Sequence, residues 1–171
     1  MNLYGRLLML LLRWRRRAPV GLWDAVVTRF RVVPTDLDLM AHMNNGKYLT
    51  LMDLGRMDLM LRSGFWGTVR AQGWYPVVAG QTITYRRSLR LGQRFELHTK
   101  VLGFDERWIF VEQTFRRGEV VHAHAVVRAR FLKESGGSVE HDELFALVGD
   151  RPALDLPAWL VDWTESTKIP G

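Results

Sequence analysis

The chain has no cysteine, which excludes a disulfide framework, a thiol nucleophile and a thiolate metal site. It also lacks a long apolar run. The longest, Leu7 to Leu12, is six residues, against the ~20 needed to span a bilayer. Arg13-Trp14-Arg15-Arg16-Arg17 follows it, where a secretory signal would carry small residues before a cleavage point. Acids are missing from the first seventeen positions, although Arg6, Arg13, Arg15, Arg16 and Arg17 stand there. Those five leave 19 of the 24 lysines and arginines to face 18 acids. The excess of positive charge therefore sits at the N-terminus, and no nucleic-acid partner is expected of the rest. There is no glycine-rich phosphate loop, no Gly-x-Ser-x-Gly elbow and no internal repeat. His122 and His124 stand two apart without a third ligand nearby, so neither a metal nor a bound cofactor is expected.

What is present reads as a globular chain: 47% hydrophobic and 25% charged residues, with a length sufficient for one core. The expected organisation is a basic, apolar N-terminal segment over 1–22, a main domain over 23–135 and a C-terminal extension over 136–171. The extension starts at the turn-rich Ser135-Gly136-Gly137-Ser138 and carries a short helix near Asp142 to Val148. If residues 1–17 are helical, Arg6, Arg13 and Arg17 share one side and Leu7, Leu8, Leu11 and Leu12 point away. Two readings stay open for this segment: peripheral contact with a membrane interface, or packing on the domain or a second copy. The absence of cysteine suits a cytoplasmic protein, at the inner face of the membrane under the first reading.

Val26 to Val33 is β-branched and short, which predicts a strand. From Tyr48 to Leu61 the chain is apolar nearly all round the helical wheel, so the predicted helix must be enwrapped by other structure. It stops at Ser63-Gly64, and a loop containing Gly73-Trp74-Tyr75-Pro76 is expected next. Alternation then predicts four strands, about residues 82–89, 95–101, 108–115 and 121–131. In the last, Val121, Ala123, Ala125, Val127, Ala129 and Phe131 point one way. His122, His124, Arg128 and Arg130 point the other, onto an expected wet face. One strand, a buried helix and four strands predict an α+β fold whose five-stranded antiparallel sheet wraps a long central helix.

The loop launching that helix concentrates chemistry. Pro34 ends the first strand, and Asp36, Asp38, His42, Asn44 and Asn45 follow before Gly46-Lys47-Tyr48. Asn44 or Asn45 can cap the helix. Asp38 has no adjacent cation and can serve as a general base or a nucleophile; alternatively it is a turn residue. Asp36 is expected to hold the loop. His42, four residues on, can orient water or tie the loop to itself.

Asp38-Leu-Met-Ala-His42-Met-Asn44-Asn45-Gly-Lys-Tyr48 resembles the motif of hotdog-fold acyl thioesterases, both 4-hydroxybenzoyl-CoA thioesterase-like and acyl-ACP thioesterase-like. Ala41 stands where many members have glycine, and Met40 where the acyl-ACP branch has asparagine. The resemblance implies a hotdog fold and hydrolysis of a fatty or aromatic acyl-CoA, or an acyl-carrier thioester, with coenzyme A present only as part of the substrate. Asp38 and His42 would be the catalytic pair. Backbone N–H groups of Asn45, Gly46 and Lys47 would hold the oxyanion, with Asn44 and Tyr48 supporting the site. A subgroup with its carboxylate on the central helix would have only Asp53 or Asp58 to use, and their spacings to Arg56 and Arg62 predict ion pairs instead. Arg128 and Arg130 could receive coenzyme A phosphates from the solvent side of their strand, and Met40, Met43, Met52, Met57 and Met60, in and around the helix, could line an acyl tunnel or fill the core. A homodimer or homotetramer is implied, with Trp74 to Val78 of one chain opposite Asp38 of another. A non-catalytic acyl-thioester or lipid-binding module is the competing reading.

Overall fold

The computed structural model describes residues 3–149 and 154–168. In chain order it contains α1 (Leu3–Arg13), β1 (Val26–Arg31), α2 (Asn45–Arg62), α3 (Phe65–Ala71), β2 (Trp74–Tyr85), β3 (Arg94–Phe104), β4 (Ile109–Arg117), β5 (Val120–Lys133), α4 (His141–Val148) and α5 (Ala158–Ser166). The strands form one antiparallel sheet in the order β1-β3-β4-β5-β2, curled round α2 as the patterning predicted. Among the described residues no helix is long and apolar enough to cross a membrane.

The sheet can wrap α2 because α2 offers almost no polar face: Leu51, Met52, Leu54, Leu59, Met60 and Leu61 are all buried. Gly55 marks the closest approach of helix to sheet. A Cβ there would lie 2.7 Å from Leu97 Cδ2, 2.7 Å from Thr99 Oγ1 and 2.9 Å from Gln113 Nε2, closer than carbon can pack.

Three elements differ from the sequence expectation. The second strand starts at Trp74, eight residues before the predicted 82, and contains Pro76. Proline is tolerated because β2 is an edge strand and its outer N–H groups bond no neighbour. The helix break at Gly64 (φ +75°) is followed at once by α3, in place of loop. Finally, the outer face of β5 is wet only in part, with His124 and Arg130 half-exposed and His122, Val126 and Arg128 buried. Leu160 of α5 is fully buried against Phe110 and Val126, so the C-terminal helix covers that part of the sheet.

The N-terminal helix is oriented by its arginine. Arg6 is 8% exposed and reaches Asp36, 1% exposed, at 2.5 Å, while donating also to the Arg31 carbonyl at 3.2 Å. Beyond α1, Arg17 pairs with the fully buried Asp58, which also accepts from Thr28 Oγ1 at 2.7 Å. Leu3 and Leu7 pack against the main core.

Candidate active site

The loop before α2 is built by its own polar side chains. Asp38 Oδ1 accepts from the N–H of Met40 at 2.9 Å and of His42 at 3.1 Å, which closes an Asx-type turn. Asp38 N–H and His42 C=O bond at 2.8 Å across the same turn. Ala41, at its corner, has φ +58°, a region glycine occupies without cost and alanine does not. The loop is then fixed from below. Asp36 Oδ2 accepts from Val33 N–H at 3.0 Å, its carbonyl accepts from Asn44 N–H at 2.8 Å, and Arg6 neutralises it. Asp36 is thus the structural member of the pair, and Asp38, exposed, is the one open to a ligand.

The helix start is partly engaged. Asn44 caps it, its Oδ1 accepting from Gly46 N–H at 2.8 Å, while its carbonyl accepts from Lys47 N–H at 2.8 Å. Of the three N–H groups expected to hold an oxyanion, only that of Asn45 makes no hydrogen bond among the described residues. His42 is half-buried and sits beside Arg90 through an isolated bridge. Tyr48 is 2% exposed, edge-on to Tyr85 and Phe115 with centroids 5.1 and 4.9 Å away. Burial pushes its phenol pKa up, against a hydrogen bond at the Leu89 backbone that lowers it, so Tyr48 stays protonated and supports the loop as a packed residue.

A cavity of about 240 Å³ lies between the C-terminal half of α2 and the sheet, lined chiefly by apolar side chains including Met57, Met60, Phe65, Val111 and Phe131. Pro76, Val77 and Val78 of β2 form one wall. Within one chain the cavity does not reach Asp38 or His42. It does reach Asp53 and Arg56, which form an ion pair in which Asp53 is 62% and Arg56 15% exposed. Burial lowers the Arg56 pKa, with Asp53 opposing. Behind Arg56 runs a buried chain: its Nη1 donates to Gln113 Oε1 at 2.7 Å, and Gln113 Nε2 donates to Met52 O at 2.9 Å and Thr99 Oγ1 at 3.0 Å. Asp53 and Arg56 do form the predicted ion pair, but at a cavity. The signal available in sequence was Gln113, a polar residue in the apolar alternation Ile109, Val111, Phe115.

The basic stripe expected on β5 is corrected by the structure. Arg128 is 7% exposed, sandwiched between the indoles of Trp108 and Trp163 at 5.2 and 4.9 Å, and donates to Thr164 O and Thr167 Oγ1. Arg130 stacks on Trp108 at 5.0 Å and borders the cavity. His124 is paired with Glu112 at 2.9 Å, and His122 is buried with Nδ1 3.1 Å from the Arg87 carbonyl. For Arg128 the physical reason is α5, whose Trp163 and Thr164 close over it and which the strand pattern alone could not foresee. Exposed arginines do stand near the loop before α2, but on the β2–β3 turn: Arg86, Arg87 and Arg90. His122 holds that turn, its carbonyl accepting from the N–H of Arg86 and of Arg87. Among the described residues no cluster of three His, Asp or Glu is placed to hold a metal.

A family model described as the thioesterase-like superfamily matches residues 32–164. Protein THEM6 of Xenopus laevis is 45% identical over 84 residues, covering 49% of this chain and 41% of that protein. Protein THEM6 of Danio rerio is 43% identical over 89 residues, covering 52% and 44%. The match thus spans less than half the length of these relatives. Among solved structures, the YbaW probable thioesterase of Escherichia coli superposes with a TM-score of 0.64 at 20% identity, covering 72% of this chain and 98% of that one. A probable thioesterase of Bartonella henselae gives 0.62 at 22% identity, covering 68% and 98%. At such identities the likeness concerns the fold, which is the hotdog fold.

Proposed function

Because the chain belongs to the thioesterase-like superfamily, we propose that it hydrolyses acyl-CoA thioesters, with the acyl group in the cavity beneath α2 and Asp38 as general base. The observation that carries this reading is the pairing of an apolar cavity with a wall on an unpaired strand edge. Antiparallel pairing of two β2 edges centred on Ala79 and Gly80 sets residues 74–78 of one chain opposite 81–85 of the other. The Tyr85 hydroxyl lies 3.4 Å from the Asn45 carbonyl at the start of α2. A homodimer of this kind brings the cavity wall of one chain to the catalytic loop of its partner and buries the exposed Tyr75 and Val78.

In the reaction, the free Asp38 Oδ2 takes a proton from water whose oxygen attacks the thioester carbon. The oxyanion meets the Asn45 N–H at the positive end of α2. The C–S bond then breaks and the thiol leaves with the proton. Arg86, Arg87 and Arg90, in place of Arg128 and Arg130, are the groups open to the carrier phosphates. The cavity's volume of about 240 Å³ and its apolar lining suit a fatty chain or a single aromatic ring. The engagement of Asp38 Oδ1 by its own loop favours the non-catalytic acyl-binding alternative, and Asp53 at the cavity is the competing carboxylate.

The deciding experiment is turnover of short, medium, long and aromatic acyl-CoAs by wild type, Asp38→Asn and Asp53→Asn. Loss of about two orders of magnitude or more in Asp38→Asn alone is expected. Loss only in Asp53→Asn moves the base to α2. No turnover by wild type across the panel refutes hydrolysis and leaves acyl binding.

A further inference from the structure

The N-terminal helix is apolar on its outward side as well as on its inward one. A surface helix ordinarily turns its apolar stripe to the core and its charges out. In α1 the inward face carries Leu3, Arg6, Leu7 and Leu10, yet the outward face also carries Tyr4, Leu8 and Leu12, which are 75%, 57% and 68% exposed, with Leu11 at 43% beside them. Residues four apart form one continuous line along a helix, so this is an unbroken apolar ridge about two turns long. The ion pair of Arg6 with buried Asp36, and Leu3 and Leu7 on the core, hold the helix in the rotation that leaves this ridge outward.

The ridge is bordered by cations. Arg13, Arg15 and Arg16 are exposed and form no ion pair with a described residue. Along the flank of α1, where Met9 and Arg13 border it, runs an open groove to the edge of the sheet. It collects Arg29, Arg31, Arg94, Arg116 and Arg117 against a single carboxylate, Glu96, already paired with Arg29. Two occupants fit an apolar ridge on a small domain: a second copy or a lipid surface. A two-fold pair would set the patch against itself and press one group of arginines upon another. An anionic bilayer satisfies both features, accepting leucines below the head groups and arginines among the phosphates.

We propose that α1 docks this protein on anionic membrane, lying in the plane of the interface with Leu8 and Leu12 inserted and Arg13, Arg15, Arg16 and the groove arginines bound to lipid phosphate. This contact is peripheral and independent of the cavity beneath α2.

The test is flotation of the full chain with vesicles of phosphatidylcholine alone and of phosphatidylcholine mixed with phosphatidylglycerol, at low and high salt. Wild type is expected to float with the anionic vesicles only and to be released by salt. Leu8→Ser/Leu12→Ser, with circular dichroism unchanged, is expected to lose at least about tenfold in partitioning, and Arg13→Gln or Arg16→Gln roughly fivefold each. The proposal is overturned if wild type stays with the soluble fraction, if the leucine variant floats like wild type, or if size-exclusion chromatography shows the leucine substitutions splitting an oligomer of a protein that binds no vesicle.

Discussion

Replacing Gly55 by alanine sets two physical effects of opposite sign against one another in the middle of α2. On helix propensity the change is favourable by about 1 kcal/mol, since glycine loses more backbone entropy than any other ordinary residue. On packing it is unfavourable. The new methyl carbon would stand 2.7 Å from Leu97 Cδ2, 2.7 Å from Thr99 Oγ1 and 2.9 Å from Gln113 Nε2, and all three side chains are fully buried. Leu97 can move only into its neighbours, which is the overpacking that costs about 1–3 kcal/mol. Gln113 and Thr99 can move only by giving up their 3.0 Å bond, another ~1 kcal/mol. The sum is a loss of about 1–3 kcal/mol, equivalent to ~2–4 °C of melting temperature per kcal/mol in a chain of this size. Urea unfolding with an unchanged m-value would report it. Because Gln113 also holds Arg56 at the cavity, the variant should lose activity on longer acyl groups before short ones. A midpoint that stays or rises would refute the close-approach argument and leave propensity as the ruling effect.

Ala41→Gly should act the other way: relieving φ +58° at an exposed position returns about 1 kcal/mol once the entropy of the unfolded glycine is deducted, and a thermal melt would detect it. Arg6→Leu should cost about 3–5 kcal/mol, because Asp36 would remain buried with the Val33 N–H as its remaining side-chain partner; adding Asp36→Asn should recover part of that loss in chemical denaturation. Acid should weaken the fold through Glu112 and Glu96. Burial raises the Glu112 pKa, but His124 and Lys100 outweigh it and hold it below the ordinary 4.5. The Arg29 hydrogen bond holds Glu96 low. Both carboxylates therefore contribute stability above pH 4.5 that is lost as pH falls through their lower folded values, and Glu112→Gln should flatten that limb of a pH titration of unfolding.

The fold was legible because its chief elements each carry an unambiguous period. The all-round apolarity of Tyr48 to Leu61 required a wrapped helix, and the alternation in Phe95 to Val101 and Val121 to Phe131 required strands. What failed failed for local reasons. Pro76 and Gly73 look like loop, and only the edge position of β2 makes proline acceptable there. Phe65 to Ala71 holds two aromatics and a glycine, so propensity gave no warning of α3. The loop chemistry of Asp36, Asp38 and Asn44 was readable from residue type and spacing. Its division of labour was not, since only the burial of Asp36 beneath Arg6, thirty residues away, distinguishes the structural acid from the open one. Likewise Arg128 alternates like a solvent residue, and nothing in β5 foretells that Trp163 will close over it.

The two faces of α1 answer to different constraints. Arg6, and Arg17 beyond it, neutralise buried Asp36 and Asp58, so trimming the first seventeen residues as an expendable tail would leave Asp36 without its cation, leave Asp58 with Arg62 at 3.9 Å and Thr28 alone, and unseat the loop beside Asp38. Leu8 and Leu12 support nothing inside the domain and are free to vary. The inward side of α1 is therefore bound to the fold through its ion pairs, while its outward side can be exchanged without disturbing the loop before α2.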